Sequence, residues 1–261
     1  MAITTTAQLA AARARAIRCG VQTGGLSLGS PGLHTQMWTF TTFPGVGAIP
    51  ASAVVCTKDT PGAILKFNAR DQTYIDSIDL KSLTLNTIVV ADRLAHMGGL
   101  NATLTTSQTV DLTLPSDSAR CAADGADVEW YLTAFAQLGS TSVTATITYT
   151  NQSDVSGRTT TVTIPATMRN QHAIVVTPDA GDTSIKSIQS VQLSATTGTP
   201  ANFGFVARKS YVSCLTASGV SLGRANGLLI PIPDDMCAEL VPISGNSSSI
   251  VVAGEFMLVQ G

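Results

Sequence analysis

Ser142–Ile164 reads SVTATITYTNQSDVSGRTTTVTI, and its alternation decides the fold. Over Ser142–Thr150, Val143, Ala145, Ile147 and Tyr149 share one face, while Thr144, Thr146 and Thr148 share the other. Over Thr159–Ile164, Val162 and Ile164 alternate with Thr161 and Thr163. A period of two is the repeat of a β-strand, so both segments read as half-buried strands with an apolar face and a threonine face. Between them Asn151–Gly157 is a polar loop of hairpin type.

The same signature spreads in both directions. Alternating or β-branched runs recur at 83–91, 109–114, 128–138, 172–176, 185–194, 203–208, 239–243 and 250–259, and Gly181–Val206 is a second strand–turn–strand unit. Strands so closely spaced, with almost no helical pattern between them, predict an all-β fold, an antiparallel β-sandwich of jelly-roll type, and exclude a βαβ architecture. No fixed-period repeat is visible, which argues against a solenoid or propeller.

The N-terminus differs. Thr5 and Gln8 have capping-box spacing, Ala7–Ile17 is rich in Ala, and Gly20 can end the helix, so a short helical arm is expected. Arg13, Arg15 and Arg18 make this arm basic. It either lies on its own domain or grips a neighbouring subunit, and the three arginines are the candidate interface residues. From Val21 to Pro61 the chain is rich in Gly and Pro, which predicts brief regular structure in an extended segment. The expected division is therefore 1–61, arm and extended segment, and 62–261, the β-sandwich, with a subdivision near 211–227 where Gly and Ser return.

With 261 residues, 44% of them apolar, the chain can bury a core without metals or disulfides. Charged residues make up only 12%, against about 25% in ordinary soluble domains. Ser and Thr, about sixty residues together, take their place. Such a surface suits packing against protein, because hydroxyls exchange water for protein partners at little cost. The net charge of −2 offers no footprint for direct nucleic-acid binding. No run approaches the length of a membrane-spanning helix, and the first twenty residues lack the pattern of a signal peptide, so no membrane partner and folding in a cytoplasm are expected.

Few residues carry chemistry. Cys19, Cys56, Cys121, Cys214 and Cys237 form no C-x-x-C pair, which argues against a zinc ribbon or a redox motif. Two readings remain for them: buried free thiols, or thiols of which at least one links chains by a disulfide outside the reducing cytoplasm. His34, His96 and His172 stand far apart, and His96 reads as an ordinary polar contact at a strand end, before a turn at Gly98-Gly99. Asp76, Asp79, Asp117, Asp124, Asp127 and Glu129 fit no calcium-loop spacing, and the Trp130-Tyr131 pair reads as a core anchor. No catalytic residue, metal site or cofactor is expected. A pair of carboxylates meeting in space to cleave a glycan is the enzymatic alternative.

Particular phrases of the chain carry a resemblance. They are Ala91–Leu100 (ADRLAHMGGL), Thr105–Val110 (TTSQTV), the Trp130-Tyr131 strand, Thr144–Gln152 (TATITYTNQ) with Gly157–Thr159, and Ser187–Gly198 (SIQSVQLSATTG). Together, over about 83–206 and more loosely both ends, they resemble virion structural proteins of tailed bacteriophages, of the capsid decoration (cement) group and neighbouring head and tail parts. The resemblance implies a β-sandwich module without catalytic residues, assembled as a homotrimer in the bacterial host cytoplasm. It implies the major capsid protein as partner, the capsid exterior as location, and an N-terminal arm like the extensions that grip the shell. A neck, tail or baseplate component is the alternative within the group, and a glycan-binding or glycan-cleaving tail protein a further one.

Overall fold

The computed structural model describes residues 2–28, 34–68, 72–216, 225–243 and 249–261. The chain opens with α1 (Thr6–Arg13) and β1 (Ile17–Thr23). The Gly/Pro-rich stretch then holds only the short strands β2 (Leu26–Ser27), β3 (His34–Thr35), β4 (Thr41–Phe43) and β5 (Val54–Val55). Longer strands follow: β6 (Thr73–Ser82), β7 (Asn86–Asn101), β8 (Gln108–Thr113), β9 (Glu129–Ala134), β10 (Val143–Asn151) and β11 (Arg158–Ile164). The last are β12 (His172–Val176), β13 (Ile185–Leu193), β14 (Asn202–Thr216), β15 (Ala225–Ile232), β16 (Ala238–Ile243), β17 (Ser249–Ile250) and β18 (Val252–Gln260).

The pairings are antiparallel, and the expected all-β sandwich is what forms. One outer sheet has the order β11-β10-β13-β8 and the other β15-β6-β18-β1-β4. Between them β14-β9-β12-β3-β16-β7 closes on itself through a further β14–β7 pairing, with β5 added at the edge of β7. The first outer sheet packs Ala145, Ile147, Tyr149 and Val191 against Trp130, Leu132, Phe203 and Phe205 of this ring. The second packs Ile75, Ile78, Phe256 and Leu258 against Ile88, Val90, Ala238 and Leu240. Two sandwiches thus share a middle layer. β7 serves both, with Ile88 and Val90 in one core and Leu94 and Met97 in the other.

The hairpin at 142–164 forms in the register its alternation requires, Val143 opposite Ile164 and Tyr149 opposite Arg158. Its turn holds because Asn151 Oδ1 accepts the N–H groups of Ser153 and Val155 at 3.0 Å each. The capping box forms too: Thr5 Oγ1 accepts Gln8 N–H at 3.2 Å and Gln8 Oε1 accepts Thr5 N–H at 3.0 Å.

Elsewhere the sequence misled. The helix ends at Arg13, because Ile17 onward pairs with β18, Cys19 opposite Phe256 and Gly20 opposite Glu255. In the expected extended segment, Cys19, Val21 and Met37 share a core with Ile75 and Leu258. Near 211–227, β14 runs on to Thr216, and 217–224 lie outside the described residues. Gly98-Gly99 is no turn, since β7 continues through it to Asn101. Glycine is needed there because a Cβ on Gly98 would lie 2.3 Å from Ile49 Cγ2, and because Gly99 has φ +80.

Candidate functional site

The three basic residues of the arm meet different fates. Arg13 forks onto Asp76, Nε to Oδ2 at 2.9 Å and Nη2 to Oδ1 at 2.7 Å, and Asp76 is fully buried. This bidentate pair clamps the helix to β6. Arg18 reaches Glu255 on the paired strand β18 at 2.5 Å, both side chains well exposed. Arg15 is exposed with no side-chain partner among the described residues, on the rim of a groove of about 640 Å³ that Asp59 and Lys66 also line.

All five cysteines are buried free thiols. Burial pushes the thiols of Cys19, Cys121 and Cys237 up, and that of Cys214 up to about 11. Cys56 and Cys237 touch in a small cluster with Trp38 and Ala63. They sit end to end along one edge of β7, where Cys237 O accepts Arg93 N–H at 2.8 Å and Cys56 N–H donates to Leu94 O at 2.9 Å.

β7 also carries the densest buried charge of the molecule, at Asp92 and Arg93, which point to opposite faces as strand neighbours must. Asp92 receives Arg120 bidentately, Nε to Oδ2 at 2.9 Å and Nη2 to Oδ1 at 2.5 Å. Arg120 also donates to Cys56 O, and Cys237 N–H donates to Asp92 Oδ1 at 2.8 Å. Burial opposes the charge on Asp92, and these donors offset it. The knot fastens the 117–121 turn and the starts of β16 and the 56–63 loop to the centre of β7.

Arg93 faces the inside of the strand ring. Its Nη1 donates to Glu239 Oε2 and to Gln36 Oε1, each at 2.8 Å, and its Nε to His96 Nδ1 at 3.0 Å. Gln36 passes the chain on to Thr133 Oγ1 at 2.5 Å. His96 therefore makes a polar contact, with Nδ1 as acceptor, and its pKa is pushed down to about 2, by burial first and by Arg93 second. A bulge between Ala207 and Arg208 sets Arg208 opposite Arg93, two like charges across a ladder. Arg208 is 1% exposed and its Cζ stacks 3.8 Å above the ring of Tyr131. Its Nε stands 3.8 Å from Glu239 Oε1, beyond hydrogen-bond reach, and neither Nε, Nη1 nor Nη2 has a hydrogen-bond partner among the described residues.

Beside Arg208 lies a cavity of about 380 Å³, walled by Val89, Val241 and Ile243 with Tyr131 and Thr87. Glu129 stands exposed at its rim, accepting Tyr131 O–H at 3.0 Å and Ser210 O–H at 3.2 Å. Tyr131 is held in its neutral form, its pKa raised chiefly by burial, and its oxygen lies 3.2 Å from His34 Nδ1. Of the other acids, Asp127 pairs with Lys209 at 2.7 Å. Among the described residues no group of three or more His, Cys, Asp or Glu is placed to hold a metal ion. Sequence reading singled out His96 and Tyr131 separately but not Arg93, Arg208 or Glu239. The available signal was an Asp-Arg pair inside an otherwise apolar strand.

No protein-family model matches the chain, and a search of curated proteins finds no match. Among solved structures it has a faint likeness to the VP2 subviral particle of infectious bursal disease virus, at 14% identity and TM-score 0.20 over 94% of this chain and 80% of that one. The T=1 particles derived from the same virus give 14% identity and TM-score 0.18 over 94% and 77%. Overlap at that level fixes neither fold nor role.

Proposed function

We propose that this chain is a structural protein of a virus particle, of the tailed-bacteriophage capsid decoration type, which works by packing against protein rather than by catalysis. The observation that carries the reading is the outer face of the β11-β10-β13-β8 sheet. There Thr144 stands opposite Thr163, Thr146 opposite Thr161 and Thr148 opposite Thr159, with Gln192 and Ser190 of β13 continuing the rows. Thr144, Thr146, Thr159, Thr161 and Thr163 are exposed. These rows of hydroxyls and amides carry no charge to desolvate, and depletion of charge marks the centres of protein interfaces. The same threonine phrases also carry the resemblance to virion proteins.

The mechanism is cross-bridging. Each copy makes modest contacts with the major capsid protein, and copies joined as a homotrimer on the capsid exterior act at high effective concentration, so the assembly holds far more tightly than one chain. Arg15, exposed and without a side-chain partner among the described residues, is available to an acidic neighbour. The test is Thr146→Lys with Thr161→Lys, two like charges placed opposite each other on an exposed face. The purified variant should fold and its occupancy on reconstituted particles should fall at least about tenfold, a loss of about 1.4 kcal/mol; unchanged occupancy would overturn the reading. Copy number then separates a decoration protein, in hundreds per particle, from a neck or tail part present in far fewer.

A further inference from the structure

We infer that the outer edge of β11 is a strand-addition site for a second copy of this chain, the two β11 strands pairing antiparallel across a two-fold axis so that two four-stranded sheets become one. The inference goes beyond the packing role, which uses the sheet's face, and it joins copies in pairs whether or not they also stand in a trimer. A sheet edge presents main-chain N–H and C=O groups that another strand can take up, and folded proteins protect such edges with brevity, bulges, proline or charge. The edges of this molecule differ in that respect. β4 is three residues long and β5 two. β8 shifts register against β13 and carries Asp111 at φ +47. β15 shifts register against β6, with Leu229 at φ +45 and Pro231 close by. β11 has none of these devices: Arg158–Ile164 keeps an unbroken register with β10 over seven residues, and holds no proline, glycine, lysine or acid. Its one charge, Arg158, is turned to Asp182, Nε to Oδ2 at 2.9 Å.

The groups that this edge offers follow from the ladder. Ser194 N–H donates to Thr144 O at 2.8 Å, so the main chain of Thr144 points to β13 and that of its neighbours Val143 and Ala145 to β11. Their partners Ile164 and Val162 therefore point back at β10, and the N–H and C=O of Thr159, Thr161 and Thr163 point outward. Among the described residues no backbone hydrogen bond engages those outward groups. The strand is complementary to itself. Turned antiparallel about Thr161, it sets Thr161 against its own copy and Thr159 against Thr163, each outward N–H meeting an outward carbonyl. Arg158 falls opposite Ile164, so no like charges meet. The exposed threonine rows also run on across the junction, Thr146 and Thr161 of one copy continuing into Thr161 and Thr146 of the next. A strand of unrelated sequence would complete the main-chain bonds but not these rows.

Sedimentation equilibrium of the full chain provides the test. The expected result is a concentration-dependent doubling of mass, of the monomer or of a trimer, with a Kd on the order of 10–100 µM, as suits a small main-chain interface. Thr161→Pro removes an outward N–H, leaves the hydrogen bonds to β10 in place, and should weaken the doubling at least about tenfold. Because a proline can disturb a strand, the unaltered chain supplies a second measurement. Between about 5 and 500 µM the amides of Thr159, Thr161 and Thr163 should slow in hydrogen exchange by about tenfold, while those of Thr160 and Val162, already bonded to β10, should not change. A chain that does not double in mass up to about 500 µM, a folded Thr161→Pro that doubles as before, or outward amides indifferent to concentration would each overturn the proposal. Mass in solution is independent of occupancy on particles, so the edge pairing and the packing role fail separately.

Discussion

Asp92 and Arg93 are neighbours on one strand, equally buried, yet the clusters they anchor differ in kind. On the Asp92 side every strong group is matched: a bidentate arginine, a backbone N–H and a carbonyl close around it. On the Arg93 side one carboxylate serves two guanidinium groups, and a cavity stands open beside the second. A matched buried pair holds its surroundings in place, because removing either partner strands the other; an unmatched one keeps a desolvation cost that no hydrogen bond offsets.

The largest expected effect separates the two sides. Asp92→Ala or Arg120→Ala should destabilise the fold by about 3–5 kcal/mol in urea unfolding, because each leaves a buried charge alone. Acid probes the Arg93 side. His96 is neutral in the fold, with its pKa at about 2, whereas the unfolded chain takes up a proton there below about pH 6.5. Its contribution is therefore complete above pH 6.5 and is lost progressively toward pH 2, at about 1.4 kcal/mol per pH unit. Burial lowers His34 and His172 in the same sense. The urea midpoint should fall between pH 7.5 and 5, and His96→Asn should flatten that fall; equal midpoints would contradict a buried neutral imidazole.

A smaller effect is expected from Arg208→Met, which removes a buried charge that has no hydrogen bond to lose. Stability should change by less than about 1 kcal/mol in either direction, the lost stacking on Tyr131 being offset by the relieved desolvation. A loss as large as that of Arg120→Ala would erase the distinction between the clusters. The smallest effect is a rate: Cys56 and Cys237, packed against the matched knot, should resist iodoacetamide until the chain unfolds globally. Prompt labelling in the native state would mean that the knot opens locally.

The hairpin at 142–164 was legible because its determinants are local, a period of two and a turn closed by Asn151 within its own loop. The capping box was legible for the same reason. The extent of the helix was not, because β18, more than two hundred residues away, claims Ile17 for a strand. Nor was the ring: β3 contributes only His34 and Thr35 to close it, too short a run to carry a pattern. Both charge clusters depend on partners distant in sequence, Arg120 for Asp92 and Glu239 for Arg93. Alternation assigned Trp130 and Tyr131 jointly to the core, yet they point opposite ways: Trp130 Nε1 bonds Ile185 O at 2.8 Å in the apolar core, while Tyr131 carries Arg208 in the ring.

The pairing of β7 with β14 runs from Asn86 opposite Thr216 to Asn101 opposite Asn202, passing through both sandwiches. Loaded along its length, such a ladder is pulled in shear, so its hydrogen bonds share the strain in parallel and do not open one at a time as in a peeled hairpin. The two cores hang from the same pair of strands, and a tug on one reaches the other through this spine with little slack. In the proposed packing role, the spine would serve as a tie-rod.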